Sequence, residues 1–247
     1  MIIANWKANG DFESNKAWCN RFISRMSVRG TKSIGIAPSY LHFNQIKNDF
    51  KDHDIEVGFQ DVDIEGGART GSISPSMALD SDCSFCLIGH SERREIFKED
   101  NNLISKKYLV LIKHNIKPIL CIGESFEEYK SGKTEKKLQS QIEECILNNT
   151  SNENLTIAYE PVWAIGTGNT PKPKDVNTIH EFIKDVVQSA SENNSRPRVL
   201  YGGSVNKVNA SDFFVEKNID GALIGGASLD ADIFSDIIEI YRRHKEK

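Results

Sequence analysis

The sequence lacks the features that mark several classes of protein. Only five of its 247 residues are cysteine, an odd number spread over the chain, which excludes a disulfide framework. No apolar stretch approaches the roughly 18 residues of a membrane-spanning helix, and the first seven residues lack the charged-then-apolar layout of a signal peptide. We therefore expect a cytoplasmic protein that does not associate with membranes.

An excess of charge of one sign is also missing. The chain has 31 Lys and Arg residues against 35 Asp and Glu residues, a formal net charge of −4, with no long run of either sign. Nucleic-acid binding, which needs a basic surface, is therefore not expected. Hydrophobic residues make up 38% of the chain, which is enough for a sizeable core and excludes intrinsic disorder.

Short apolar runs of strand length alternate with longer segments of helical period. The eight runs are continuously apolar, as expected of parallel strands that are covered on both faces. They lie at 2–5, 33–37, 55–60, 85–89, 118–122, 156–160, 198–201 and 221–224. Apolar residues share one helical stripe at 176–190, another at 138–146 and a third at 233–241. We therefore interpret the chain as eight β-α units.

The spacing of the units favours a closed barrel. Eight units in 247 residues give about 31 residues each, close to a β-α-β element, and no linker interrupts them. The sequence thus predicts an α/β fold, a single (β/α)₈ barrel of eight parallel strands with an outer ring of helices, as one domain over residues 1–247. A doubly wound open sheet is the structural alternative.

Ionisable residues close three of the runs. The first ends with Asn5 and Lys7, the fourth leads into His90 and Glu92, and the sixth ends at Glu160. Active sites of such barrels form at the carboxyl ends of the strands, so these side chains are expected to meet. Taken singly, each residue is better explained without a function, the lysine as a solvated charge and the histidine as a hydrogen-bonded structural residue.

Glycines follow the last three strand runs. They occur at 166 and 168, at 202–203 and at 225–226, and residues 227–229 are expected to form a helical turn. Backbone N–H groups in such loops can converge on a phosphate, although tight turns alone would also explain the glycines.

Five blocks of the sequence together resemble the triosephosphate isomerase family. They read NWK at 5–7, GHSERR at 89–94, AYEPVWAIGTG at 158–168, YGGSV at 201–205 and GALIGGASL at 221–229. The blocks follow the family's order over the whole chain. The resemblance implies the TIM-barrel fold and an isomerase of glycolysis and gluconeogenesis that interconverts D-glyceraldehyde 3-phosphate and dihydroxyacetone phosphate through an enediolate.

The resemblance also implies a role for each site residue. Glu160 is the expected base, with a pKa raised by desolvation in the closed site, and His90 is the expected neutral electrophile. Lys7 supplies positive charge, Asn5 a hydrogen-bond donor, and Glu92 a partner for the Lys7 ammonium. The residues expected to bind the substrate phosphate are Gly166, Ser204, Gly225 and Gly226. No cofactor and no metal are expected.

Two loops complete the expectations from the resemblance. A lid that excludes water is expected at Pro161, Val162, Trp163, Ala164, Ile165, Gly166, Thr167 and Gly168. The loop that carries Arg69, Thr70 and Ser72 resembles the family's interface loop, which predicts a homodimer. Arg69, Ser72 and Ala8 depart from the family's usual aromatic, Glu and Met, so we expect a dimer that dissociates more readily.

Other signals point to no further chemistry. Residues 131–134 carry the end of a phosphate-binding P-loop motif, but Glu127 occupies the position of its required glycine. Cys83, Cys86 and Cys121 are interpreted as core residues. The remaining histidines share no metal-ligand spacing: His42, His53, His114, His180 and His244. Two alternatives stay open, another sugar-phosphate enzyme such as an epimerase or aldolase, and a barrel that only binds phosphate.

Overall fold

Strands and helices alternate along the chain in the computed structural model, which describes residues 1–26, 33–146, 155–165, 170–190 and 195–246. The strands are β1 Ile2–Asn5, β2 Ile34–Ala37, β3 Glu56–Val57, β4 Phe85–Ile88, β5 Lys117–Ile122, β6 Thr156–Tyr159, β7 Arg198–Tyr201 and β8 Ala222–Ile224. The α-helices are α1 Phe12–Arg25, α2 Phe43–Asp49, α3 Pro75–Asp80, α4 Ser91–Glu95, α5 Asn101–Lys113, α6 Phe126–Lys130, α7 Thr134–Ile146, α8 Pro173–Ala190, α9 Ala210–Phe214 and α10 Ala231–Lys245. Short 3₁₀ turns cover Tyr40–His42, Val162–Ala164 and Gly226–Leu229.

All of the strands pair in parallel, in the order β3-β2-β1-β8-β7-β6-β5-β4. The two ends of this sheet meet just after β3, where the N–H of Phe59 donates to Phe85 at 2.9 Å and its carbonyl accepts from Leu87 at 2.9 Å. Gly58 permits this approach, because a Cβ there would lie 2.5 Å from the Phe85 ring. The predicted parallel (β/α)₈ barrel is confirmed, and the open doubly wound sheet is wrong.

Alternation along each strand divides the apolar residues into two sets. Side chains such as Ile3, Leu87 and Ala158 pack together inside the barrel. Their neighbours, such as Ile2 and Ile157, pack outward against the helices. Because side chains alternate in a strand, Asn5 and Glu160 share the inward side with Ile3 and Ala158.

The helices cover the barrel with their apolar stripes, as the period predicts. In α7 the buried positions include Leu138, Ile142 and Ile146, and α10 buries Phe234 and Ile237 in the same way. Aspartates cap three of the long helices, at Asp11, Asp100 and Asp230, where each carboxylate accepts backbone N–H bonds. The caps fix where the loops end and the helices begin.

The five cysteines are buried and free. Cys121 packs inside the barrel, and Cys83 and Cys86 pack between the barrel and the helices, which confirms their assignment to the core. None of the helices in the described ranges has the length and apolar character that crossing a membrane would need.

Candidate active site

A cavity of about 270 Å³ opens at the carboxyl ends of the strands. Residues from widely separated parts of the chain line it: Asn5, Lys7, His90, Glu160, Ser204, Gly225 and Gly226. Except for Glu92, and for Gly166, which lies outside the described residues, all of the predicted catalytic and phosphate-binding residues therefore reach one cavity. The barrel topology explains this convergence, because it brings all of the strand ends to one mouth.

Lys7 has a left-handed backbone conformation, with φ of 53°. This conformation is unfavourable for a residue other than glycine, so surrounding contacts must hold it. The Lys7 N–H donates to Asn5 Oδ1 at 3.1 Å, and Gln60 Nε2 donates to the Lys7 carbonyl at 2.8 Å and to that of Ala37 at 2.9 Å. Sequence reasoning missed Gln60, although it is the polar residue that closes the third strand run.

The Lys7 ammonium forms a close ion pair with Oε1 of Glu92. Glu92 therefore lies where the sequence predicts, as the partner of Lys7. Its backbone N–H donates to Nδ1 of His90 at 3.2 Å. One residue thus fixes both the lysine and the outer edge of the imidazole.

His90 reaches the cavity because the chain bends just before it. Phe85 and Leu87 point into the barrel, so strict alternation would place residue 90 on the outer side. Gly89 has φ of 67°, a left-handed conformation that changes the direction of the chain. As a result, Nε2 of His90 lies 3.0 Å from Oε1 of Glu160.

His90 and Glu160 form a buried pair, with 6% and 2% of their surfaces exposed. The second Glu160 oxygen, Oε2, accepts the backbone N–H of Ser91 at 2.9 Å. Burial disfavours the charged form of both residues, but their mutual attraction outweighs it, so the pKa of His90 is raised and that of Glu160 is lowered. The expected rise of the Glu160 pKa is therefore not found in this arrangement, because the carboxylate rests against His90 and Ser91.

The segment after Glu160 is anchored at its start. The indole N–H of Trp163 donates to Oε1 of Glu124 at 2.8 Å, and the ring stacks on Tyr129 with centroids 4.3 Å apart. Glu124 is buried, which raises its pKa, and it also accepts the hydroxyl of Tyr159. Sequence reasoning missed Glu124 and Tyr129, although Glu124 lies two residues after the end of β5.

The predicted lid is described up to Ile165. Pro161 precedes the 3₁₀ turn of Val162, Trp163 and Ala164, and Ile165 lines the cavity. The carbonyl of Ala164 accepts the Ser204 hydroxyl at 2.8 Å. Gly166, Thr167 and Gly168 lie outside the described residues.

Glycine backbone at residues 202–203 and 225–226 forms part of the cavity wall. The 3₁₀ turn Gly226–Leu229 starts in this wall, as predicted for residues 227–229. Gly202 comes so close to Glu160 that a Cβ at residue 202 would lie 2.8 Å from the Cγ of the glutamate. Any larger residue at 202 would therefore displace the carboxylate.

The predicted interface loop lies away from this chain's own cavity. Arg69 folds back on its loop, with Nη2 2.8 Å from Oδ1 of Asp63 and Nη1 3.1 Å from Oε1 of Glu65. This pairing lowers the pKa of Asp63, which the Ser72 hydroxyl also contacts. Thr70 and Ser72 are exposed.

Among the described residues, no group of three or more His, Cys, Asp or Glu side chains is placed to hold a metal ion.

Comparison with known proteins gives consistent matches along the chain. The family model for triosephosphate isomerase matches residues 1–241. The triosephosphate isomerase of Hahella chejuensis is 35% identical over 241 residues, which are 97% of each chain. The enzymes of Escherichia coli O1:K1 and Shigella boydii serotype 18 are each 37% identical over 250 aligned residues, covering all of this chain and 98% of theirs. The chain therefore belongs to the triosephosphate isomerase family.

Proposed function

We propose that the chain interconverts D-glyceraldehyde 3-phosphate and dihydroxyacetone phosphate with Glu160 as the base and His90 as the electrophile. Family membership over almost the whole chain supports the activity. The observation that carries the residue roles is the pairing of His90 with Glu160 inside a cavity that Lys7 also lines. The reaction moves one proton between adjacent carbons, so one base and one group that polarises the carbonyl are sufficient.

Glu160 takes the proton from C2 of the aldehyde, and the electron pair of that C–H bond moves towards the carbonyl to give an enediolate. Transfer of the hydroxyl proton from O2 to O1, together with return of the carbon-bound proton to C1, gives the ketone, so the enzyme is unchanged after one cycle. In the resting arrangement both carboxylate oxygens already accept hydrogen bonds, from His90 and from Ser91. The carboxylate must leave these donors to reach the substrate.

The imidazole is oriented to donate from Nε2. Its Nδ1 accepts the Glu92 N–H, so in the neutral ring the proton is on Nε2. When Glu160 moves away, the substrate oxygen takes its place as the acceptor of this N–H. The departure of the carboxylate also removes the main charge that favours imidazolium, which leaves the neutral donor suited to a developing enediolate.

Lys7 and Asn5 complete the polar side of the cavity. The Asn5 carbonyl oxygen is occupied by the Lys7 N–H, so the amide NH₂ is the group it can offer to substrate. The ammonium of Lys7 stabilises negative charge on the enediolate and the phosphate. Ser204, Gly225 and Gly226 face the same space and offer backbone N–H donors for the phosphate, since the Ser204 hydroxyl already donates to Ala164. Gly166 is expected to join them.

Residues 161–168 are proposed to close over the bound substrate. The contacts of Trp163 with Glu124 and Tyr129 give this segment a fixed base. Exclusion of water matters here, because an exposed enediolate phosphate can eliminate its phosphate before it is protonated.

The proposed assembly is a homodimer. Ile96 and Phe97 are 69% and 62% exposed, and they line a cavity of about 470 Å³ next to Lys7 and Ala8. A loop such as that of Thr70 from a second copy would cover these apolar side chains and support the lysine. Because Arg69 is held by carboxylates of its own loop, it adds little apolar contact, and we expect a dimer that dissociates more readily. Sedimentation showing a dimer that persists at nanomolar concentration would contradict this second expectation.

The remaining parts of the proposal concern organisation and location. Because the barrel runs from β1 to β8, residues 1–247 are proposed to form one catalytic domain. Five buried free thiols suit the reducing conditions of the cytoplasm.

A coupled assay with glyceraldehyde 3-phosphate tests the function. Glu160→Gln should lower kcat by about 10²- to 10⁴-fold, the usual effect of losing a general base. Competitive inhibition by inorganic phosphate should persist in this variant, because the phosphate side is intact. Glu95→Gln, at an exposed residue that ends α4, is the matched control. Turnover by Glu160→Gln at the wild-type rate would overturn the role of the base.

A further inference from the structure

The side chain of Arg94 joins three segments that the mechanism does not otherwise connect. Its Nε donates to the Gly89 carbonyl at 2.7 Å, its Nη2 to the Cys121 carbonyl at 3.1 Å, and its Nη1 to Oδ1 of Asn101 at 2.7 Å. These acceptors belong to the residue after β4, to the fifth residue of β5 and to the first residue of α5. The guanidinium thus spans two neighbouring strands where they approach the mouth of the barrel.

The bond to Gly89 acts on the catalytic imidazole through the backbone. The Gly89 carbonyl belongs to the peptide that precedes His90, so fixing this oxygen fixes the plane from which His90 projects. The guanidinium packs directly on the bend, because a Cβ at Gly89 would lie 2.9 Å from Arg94 Nη2. Nδ1 of His90 is held separately by the Glu92 N–H. The backbone before His90 and the outer edge of its ring are therefore each fixed by a hydrogen bond.

The bond to Cys121 extends the same influence towards the base. Cys121 is followed by Ile122, whose carbonyl accepts the backbone N–H of Glu160 at 2.7 Å. A guanidinium is planar, and its donors have fixed directions, unlike a lysine ammonium. Arg94 therefore bonds both to the peptide that precedes His90 and to β5, the strand whose Ile122 carbonyl accepts the N–H of Glu160. In this way it sets the distance between that peptide and β5.

We propose that Arg94 is a positioning residue for the isomerisation, which keeps His90 and Glu160 in the geometry needed for proton transfer. This inference rests on the proposed roles of those two residues. Arg94 is not among the described residues that line the cavity, so it acts through the backbone and not on the substrate. Small displacements of reacting groups have large effects on rate, and a misplacement of about 1 Å can cost about 10²-fold.

Arg94→Lys tests the inference because it keeps the charge but loses the planar fork. We expect kcat to fall at least tenfold, with the inhibition constant of inorganic phosphate within twofold of wild type, since the phosphate loops follow β7 and β8. The imidazole ¹⁵N resonances of His90 should also shift. Arg21→Lys is the control, since Arg21 makes a two-bond contact with Asp232 on the outside of the barrel. It should keep at least half of the wild-type kcat.

Two outcomes of the Arg94→Lys experiment would overturn the proposal. One is a kcat within twofold of wild type. The other is a lower kcat that follows the folded fraction, measured by circular dichroism, while the His90 resonances stay in place. If Arg94→Lys does not fold, Asn101→Ala decides, because it removes a single anchor of the guanidinium. A folded Asn101→Ala protein should lose at least half of its kcat and shift the same resonances, and an unchanged kcat with unshifted resonances would overturn the proposal.

The result is separable from the proposed function itself. If Glu160→Gln is inactive and Arg94→Lys is fully active, Glu160 keeps its role as the base and only the positioning role of Arg94 is contradicted. If Glu160→Gln is fully active, the proposed mechanism itself is contradicted.

Discussion

His180 should make the stability of the protein fall as the pH is lowered. The residue lies on α8, is fully buried, and contacts the Asn218 carbonyl through Nδ1 at 3.3 Å. Its ring packs edge-on against Tyr159, the residue before the proposed base. Burial, reinforced by the nearby charge of Lys184, lowers the pKa of His180 from 6.5 to about 3. The folded protein therefore keeps this imidazole neutral over most of the acidic range.

The sign and size of the effect follow from proton linkage. Above pH 6.5 the imidazole is neutral in both states, so its contribution to stability is complete. Between pH 6.5 and about 3 the unfolded chain binds a proton that the folded protein does not bind, so stability decreases as the pH falls. At 1.36 kcal/mol per pKa unit, the loss from pH 7.5 to pH 4.5 is roughly 3 kcal/mol, and the full loss is roughly 5 kcal/mol.

Urea unfolding of wild type and His180→Gln at several pH values isolates this residue. Glutamine can still donate to the Asn218 carbonyl but does not titrate. The difference in unfolding free energy between the two proteins should shrink by roughly 3 kcal/mol between pH 7.5 and pH 4.5. His53→Gln, at an exposed histidine, is the control for the same substitution outside the core. If the difference in unfolding free energy between the two proteins changes by less than about 1 kcal/mol over this range, the reasoning is refuted, because burial would then not depress the pKa of His180 enough to cause the loss of stability.

Three further expectations follow from single contacts. Glu92→Gln removes the charge that holds the Lys7 ammonium. Because hydrogen bonds to charged groups are worth about 1.5–3 kcal/mol, kcat/KM in the coupled assay should fall about tenfold or more. An unchanged kcat/KM would show that Glu92 does not anchor the lysine for catalysis. Trp163→Phe removes the indole N–H that donates to Glu124, and we expect the variant to release more methylglyoxal and phosphate per turnover. Release equal to that of wild type would show that closure of the proposed lid does not depend on this hydrogen bond. Arg69→Ala frees the proposed interface loop from Asp63, so sedimentation should show a weaker dimer. A dimer of equal or greater affinity would show that the ion pair between Arg69 and Asp63 does not organise the interface.

The architecture could be predicted from periodicity because parallel strands covered on both faces need continuous apolar runs. The runs at 2–5 and 198–201 coincide with β1 and β7. The third run was longer than its strand, since β3 covers only Glu56–Val57. At Gly58 the chain leaves its pairing with β2 and begins to pair with β4, and nothing in a hydrophobic pattern marks that exchange of partners.

The candidate site was less accessible to pattern reasoning. Strand-end position identified Lys7, His90 and Glu160, because they carry charge or an imidazole at the mouth. The groups that orient them do so through backbone atoms: Gln60 holds a carbonyl of the lysine, and Arg94 holds the carbonyl before the histidine. Gln60 closes the third strand run and Arg94 ends the block at 89–94, but neither position shows which carbonyl the side chain holds, because that depends on three-dimensional proximity.

Lys7 and His90, which follow β1 and β4, depend on the same kind of backbone bend. Each follows a strand whose regular alternation ends in a left-handed residue, Lys7 itself in one case and Gly89 in the other. A straight strand would continue to send alternate side chains inward and outward, which would place His90 against the surrounding helices. The bend at Gly89 turns the ring to Glu160. At both bends a backbone carbonyl accepts a side-chain donor, from Gln60 at Lys7 and from Arg94 at Gly89. The accuracy of the site therefore depends on how rigidly these polar side chains hold the bends, and the residues proposed to perform the chemistry cannot be considered separately from them.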